Sequence, residues 1–311
     1  MKADDRIYVA GHRGMVGSAL VRRLQADGFN NLLLRTPEEL DLTDQRATLE
    51  FFRNERPDYV FLAAARVGGI LANQTYPADF IRDNLAIETN VIHAAHQAGV
   101  LKLMFFASSC AYPRLAPQPL KEEYLLEGAP EPSSAPYAVA KIAGIMLCQA
   151  YHQQHGDPFF ALMPSNLYGP NDNFDLQTSH VMPALIRKFH EAKLKEQPQV
   201  TVWGTGTGRR EFLHVDDLAD AALFLMPRLQ GGELINVGVG KDISIRELVE
   251  LLRRITGYAG AVVWDDSMPD GAPRKLLDTA RLTALGWSAQ IPLEEGIRAV
   301  SGWFVGRTLL V

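Results

Sequence analysis

Cysteine is nearly absent: 311 residues carry two, Cys110 and Cys148, too few for a disulfide framework. Long apolar runs are missing too, none approaching the roughly 20 residues that span a bilayer. Basic residues are not in excess. Thirty-one Lys and Arg against 36 Asp and Glu leave a net charge of −5, which argues against a nucleic-acid-binding surface, whose footprint is basic. No internal repeat, low-complexity tract or flexible linker interrupts the chain, and its N-terminus has no signal-like pattern. These lacks lead us to expect a cytoplasmic protein in a reducing setting, with no membrane, nucleic-acid or metal partner.

What is present is apolar and ordered. Hydrophobic residues make up 47 % of the chain, enough for a full core. Segments 6–11, 31–35, 59–64, 102–108 and 159–165 read as short strands buried on both faces, since each is a continuous apolar run rather than an alternating one. Helical patterns lie between them at 15–28, 44–55, 78–98 and 137–155. Repeated strand–helix units imply an α/β fold, a doubly wound parallel sheet of Rossmann type. The rhythm weakens after Pro164, and a late strand at 233–238 is placed to rejoin the sheet. We therefore expect a nucleotide-binding domain over 1–165 with a returning segment near 212–239. A smaller, discontinuous C-terminal substrate lobe would take 166–211 and 240–311.

The stretch GHRGMVGSAL places Gly11, Gly14 and Gly17 directly after the first strand and at a helix start. The first glycine permits a tight turn, the second lets a pyrophosphate approach the backbone, and the third lets helix and strand pack closely. A glycine-rich turn with no ligand is the bland alternative; the strand–turn–helix context favours a dinucleotide held by Gly11, His12, Arg13, Gly14, Met15, Val16 and Gly17. The second strand ends in Arg35-Thr36 rather than in an acid. Arg13 and Arg35 together suit a ribose 2′-phosphate, which a carboxylate would repel, and point to NADPH. Asp41 and Leu42 are expected to border the adenine.

Tyr137 and Lys141 are four apart on a predicted helix and share one face. Ser108 ends the fourth strand, at the crevice where such sheets bind ligands. The three suit a carbonyl substrate, with the phenol as proton donor, the serine as hydrogen-bond partner and Lys141 lowering the phenol's pKa. An ordinary exposed Tyr and Lys is the structural alternative. In SSCAYP, strand alternation would send Ser108 and Cys110 to the same side. Cys148, two turns past Lys141, reads as packing.

These residues resemble the extended short-chain dehydrogenase/reductase superfamily, which includes nucleotide-sugar epimerases, dehydratases and reductases. The segments LAAARVGGI, NQTYPADFI, PYAVAKIAGI, PSNLYGPNDNF, SHVMPALIRKFHEA, VWGTGTGRREFLHVDDLA and PDGAPRKLLD narrow the resemblance to its GDP-sugar epimerase-reductases. That resemblance implies NADPH-dependent 3,5-epimerisation and 4-keto reduction of GDP-4-keto-6-deoxy-D-mannose. Related dehydratases have an acid-base glutamate where this chain has Cys110, which implies a base role for the thiol. His180 matches the family's proton donor, with Ser179 placed to cap the helix before it. Phe106, Ala107, Ser108, Ser109, Lys141, Pro164, Ser165, Asn166, Leu167 and His180 would line the cofactor, Asn166 and Leu167 closing the fifth strand. Lys188, Trp203, Arg210 and Asp270 would meet the GDP-sugar, among late basic residues that also include Arg209, Arg274 and Lys275. One departure stands out: Pro37 occupies a position where related chains can carry a basic residue.

Other readings remain at this point. A nucleotide-sugar 4-epimerase or simple reductase would share the fold and the Tyr–Lys pair without needing the thiol. A non-catalytic dinucleotide sensor would keep the glycine loop and lose the catalytic groups. The superfamily's usual homodimer would use the outer faces of the helices at 78–98 and 137–155.

Overall fold

The computed structural model describes residues 1–268 and 270–308. Pro269, in the PDGAPRKLLD segment, and the last three residues of the expected 240–311 lobe lie outside the described residues.

The chain opens with β1 (Ile7–Ala10), α1 (Met15–Ala26), β2 (Leu32–Leu33), α2 (Gln45–Glu55) and β3 (Tyr59–Leu62). Next come α3 (Ile70–Thr75), α4 (Pro77–Ala98), β4 (Lys102–Phe106), α5 (Ala135–His155) and β5 (Phe159–Pro164). β6 (Asn166–Tyr168), α6 (Val181–Leu194), β7 (Gln199–Trp203), β8 (Arg209–Arg210), β9 (Phe212–His214) and α7 (Val215–Leu225) follow. β10 (Leu234–Val237), β11 (Ile243–Ser244), α8 (Ile245–Thr256), β12 (Ala261–Asp265), β13 (Arg274–Lys275), α9 (Ala280–Ala284) and α10 (Leu293–Thr308) complete the order.

Six strands form one parallel sheet in the order β10-β5-β4-β3-β1-β2. Alternate side chains serve opposite faces, as a period of two requires. Tyr8, Val60, Leu103, Phe105, Phe159 and Ala161 pack toward α2, α4 and α5. Ile7, Val9, Phe61, Met104, Phe160 and Leu162 pack toward α1 and α7. The order reverses around β1: α1 leads outward to β2, and the chain then returns to β3 on β1's other side. Ligands in such sheets bind beyond the carboxyl ends at that reversal.

A third apolar cluster joins α6, α8 and α10 to β7 and β12 through Ile186, Phe189, Val200, Leu252 and Ile297. Among the described residues three small sheets, β11-β8-β13, β12-β7 and β6-β9, lie outside the main one.

The boundaries differ from expectation where side chains intervene. The strand expected over 102–108 stops at Phe106, because Ser109–Ala111 curl into a 3₁₀ turn capped by the Ser108 hydroxyl. Strand alternation therefore does not set the Ser108–Cys110 relationship. Asn166 and Leu167 do not close β5; they pair with Phe212 and Leu213 in the β6-β9 sheet. The expected 31–35 strand shortens to Leu32–Leu33, since Thr36 turns the chain by accepting from the Glu39 and Leu40 amides. Nor is 240–311 one lobe: Leu277 joins the first sheet cluster, and Leu282 and Trp287 join the second. The Trp287 indole is fixed there by donating to Asp220 of α7 at 2.7 Å.

Candidate active site

The glycine loop is shaped by contacts that a side chain would block. Gly11 has φ +82°, and a Cβ there would lie 2.8 Å from Ala64. At Gly17 a Cβ would lie 2.1 Å from the Gly11 carbonyl oxygen, so only glycine lets α1 approach β1 this closely. Gly14 caps α1 without a side-chain bond, leaving that helix start open to a phosphate. Among the described residues His12 Nδ1 and Ser165 Oγ are buried without a partner, the kind of unmet polar group that a bound dinucleotide can satisfy.

Arg13 is exposed in the loop. Arg35 is engaged: it bonds Glu55 Oε1 at 2.7 Å and stands over the Phe51 ring at 5.6 Å. The absent strand-end acid is thus partly replaced by one from α2. Asp41 accepts from the Thr43 amide and hydroxyl. Leu42 is buried in the core, and its carbonyl accepts from Asn90.

At the carboxyl end of β4, Ser108 Oγ accepts from the Cys110 amide at 3.3 Å and faces the Tyr137 phenol. Tyr137 packs edge-to-face on Phe80, with ring centroids 6.3 Å apart. Lys141 is buried below it, donating to the Phe106 carbonyl at 3.2 Å and standing 5.8 Å from the Tyr137 ring centre. Its ammonium meets Glu88 of α4 at 3.1 Å. The expected lowering of the phenol is not found: burial, then Cys110 and Glu88, push Tyr137 upward, and Ser108 alone pulls it down. The Lys141 charge is engaged by Glu88 instead. Burial holds the Glu88 carboxyl up at about 7 against the pull of Lys141.

Cys110 remains partly accessible, and Lys275 Nζ donates to its Sγ at 3.3 Å. Burial pushes the thiol up, but Lys275, Ser108 and Ser134 together bring it below its ordinary value. Cys148 is buried in the first core cluster, 1 % exposed. His180, not Ser179, is the N-cap of α6, and it makes no side-chain cap bond. Burial and then Lys275 push its imidazole down, although the residue as a whole keeps an exposed surface. The Gly68-Gly69 pair explains how this segment comes so close: Gly69 donates to the Thr178 carbonyl at 2.8 Å. A Cβ on Gly69 would lie 2.4 Å from the Ser179 carbonyl oxygen.

Lys188 and Trp203 meet, the ammonium 5.3 Å above the indole and donating to the Thr201 carbonyl at 3.1 Å. Arg210 donates to the Asp270 carbonyl at 3.1 Å. The Asp270 carboxylate holds Thr205 through its amide and hydroxyl. Arg209 and Arg274 are withdrawn from any ligand grip, since both pair with Asp242. Sequence reasoning missed two residues. Glu88 carries no local signal, being one acid among several charged and polar residues of α4, and Lys275 is noticed only as part of a basic pair.

A doubly wound sheet with an open glycine loop, and Ser108, Tyr137 and Lys141 beyond its fourth strand, defines an extended short-chain dehydrogenase/reductase. Residues 7–238 match the NAD dependent epimerase/dehydratase family, and the chain belongs to it. The chain is 56 % identical to GDP-L-fucose synthase 1 of Arabidopsis thaliana, over 96 % of this chain and 93 % of that protein. It is 54 % identical to GDP-L-fucose synthase of Escherichia coli strain K12, over 97 % of each. A solved GDP-L-fucose synthetase from Naegleria fowleri bound to NADP superposes with TM-score 0.90 at 28 % identity, over 99 % of this chain and 96 % of that one.

Proposed function

We propose that this protein is an NADPH-dependent epimerase-reductase that converts GDP-4-keto-6-deoxy-D-mannose into GDP-L-fucose. The observation that carries the reading is Cys110, a thiol held below its ordinary pKa by Lys275 and its hydroxyl neighbours and set beside Ser108 and Tyr137. A 4-epimerase or a simple ketone reductase has no use for that group.

The C3 and C5 hydrogens of the substrate both lie alpha to its C4 ketone, so one base serves both. Cys110 removes the proton, and Ser108 and Tyr137 hold the enolate oxygen that results. His180 returns a proton to the other face of the carbon. Its lowered pKa makes the imidazolium the minor form near pH 7 but a stronger acid, and that cation is the form that donates. Tyr137 then protonates the C4 oxygen as the ketone is reduced, and Lys141 fixes the position of Tyr137 from beneath. Bound NADPH supplies the hydride equivalent for C4. Gly11 through Gly17, Arg13, Arg35, Asp41, Leu42, Phe106 through Ser109, and Pro164 through Leu167 hold that cofactor. Lys188, Trp203, Arg210 and Asp270 hold the GDP-sugar, the cations against its diphosphate.

The protein works in the cytoplasm as a homodimer. Among the described residues no helix is long and apolar enough to cross a membrane. Val139 and Met146, two turns apart on α5, are 45 % and 43 % exposed and suit a subunit contact.

Incubation with GDP-4-keto-6-deoxy-D-mannose should consume one NADPH per sugar and yield GDP-L-fucose, with NADH the poorer donor. A product reduced at C4 but not inverted at C3 and C5 would reassign the protein as a simple reductase.

A further inference from the structure

A base role for Cys110 requires a thiolate near neutral pH, and β13 delivers a cation to it. We infer that Lys275 is a positioning residue for this reaction, holding Cys110 as a thiolate through a direct ion pair; the inference rests on the base role proposed above. Lys275 Nζ donates to Sγ at 3.3 Å, and both side chains are half-buried.

The strand that carries Lys275 is fixed on every side. Lys275 is in register with Arg210 of β8, and its carbonyl accepts from the Glu211 amide at 3.2 Å. Leu276 donates to the Gln118 side chain and Leu277 to the Glu211 carboxylate, each at 2.9 Å. The ammonium is therefore presented by an anchored strand. Its neighbours are spoken for: Arg209 and Arg274 both take Asp242, whereas Lys275 makes no ion pair with a carboxylate among the described residues. A lysine gripping diphosphate, as the basic pair suggests from sequence, has no reason to seat its nitrogen on sulfur.

The other groups around the thiol do not compensate for Lys275. Ser108 and Ser134 offer neutral hydroxyls, and Tyr137 of α5 faces it with a phenol pushed up by burial. Arg210 of β8 is a second, desolvated cation that feels Cys110 itself and then Asp270 and Glu131, but among the described residues it makes no hydrogen bond to the sulfur as Lys275 does. His180, at the start of α6, feels the same ammonium. One lysine thus favours the thiolate and makes the His180 imidazolium a readier proton donor.

The proton balance closes. Cys110 Sγ takes the proton from C3 or C5 and becomes a neutral thiol, while the C–H electron pair moves into the enolate. Negative charge passes from sulfur to the C4 oxygen, and Lys275 keeps its proton throughout. His180, as the imidazolium, gives a proton to the carbon and is left neutral. The thiol then releases its own to the open cleft and the histidine regains one, so each inversion leaves the count unchanged.

The test is the pH dependence of iodoacetamide alkylation at Cys110, located by peptide mass in the full-length protein. The parent should titrate below the free-thiol value of about 8.5. Lys275→Met should raise that midpoint by about one pH unit or more, slowing alkylation at neutral pH about tenfold. Lys275→Arg should restore the parent profile, and Lys275→Gln makes the same comparison if the Met variant does not fold. Solvent-deuterium exchange into the sugar should follow the alkylation profile in each variant. An unchanged midpoint in a folded Lys275→Met protein overturns the inference, even if its activity falls. Exchange that persists in Cys110→Ser overturns the base role while the shifted alkylation midpoint still supports the pair.

Discussion

Lys141 Nζ lies 3.1 Å from Glu88 Oε1, with the two side chains 2 % and 1 % exposed. Gly144 makes room for the pair: a Cβ there would lie 2.9 Å from Glu88 Oε2 and 2.4 Å from the Phe105 ring. Lys141 thus reaches the underside of Tyr137 from a place that its counter-charge holds.

Removing that counter-charge should be costly. A buried ion pair gains little over apolar packing, but one partner left alone costs about 3–5 kcal/mol. Glu88→Gln keeps the volume and strands the ammonium. Urea unfolding should show an unfolding free energy lowered by that order, seen as a lower midpoint with an unchanged slope, and kcat should fall more than KM. A midpoint equal to the parent's would mean that the Glu88 carboxylate is not what holds Lys141 in place.

On the proposed mechanism, Tyr137→Phe removes the acid for the C4 oxygen. Reduction should slow by about 100-fold or more, and deuterium exchange should also fall because the enolate uses the same anchor. Near-parental reduction by this variant would take Tyr137 out of the mechanism.

Arg13 and Arg35 should not contribute equally to cofactor choice. Arg35 is shared with Glu55, whereas Arg13 is exposed in the loop. Arg13→Ala should raise KM for NADPH far more than for NADH, and Arg35→Ala should do so to a smaller extent. Equal effects on both cofactors in both variants would place 2′-phosphate recognition elsewhere, with the Pro37 turn the next segment to mutate.

Gly17→Ala should damage the fold and the cofactor site together. Its Cβ would sit 2.1 Å from the Gly11 carbonyl oxygen, and relief of such overpacking typically costs 1–3 kcal/mol. A lower Tm with weakened NADPH binding is expected; a variant that binds NADPH as tightly as the parent would show that the α1–β1 approach is dispensable.

Cys110→Ser and His180→Asn should fail differently. The serine variant should bind NADPH and GDP-sugar nearly normally and lose deuterium exchange at both carbons, while slow reduction of the uninverted ketone survives. The asparagine variant should retain exchange and lose inversion. Matching defects in the two would argue against separate base and acid roles.

Much of this architecture is legible in the residues, because turn chemistry and helical periodicity are local. Gly11, Gly14 and Gly17 mark their turn unaided, and Tyr137 and Lys141 declare a shared face by spacing. Glu88 cannot be read that way: an acid inside IRDNLAIETN looks solvated until α4 is packed against α5. Lys275 depends on the register of β13 with β8, which two residues of sequence do not specify. Ser108 and Cys110 do come together, though through a 3₁₀ turn whose cap is a hydroxyl rather than through strand alternation.

The most direct test of the account is the reaction of the parent enzyme with GDP-4-keto-6-deoxy-D-mannose and NADPH in heavy water. The product should be GDP-L-fucose carrying solvent deuterium at C3 and C5 and cofactor-derived hydrogen at C4. A product inverted at both carbons yet free of deuterium, or one reduced without inversion, would contradict it.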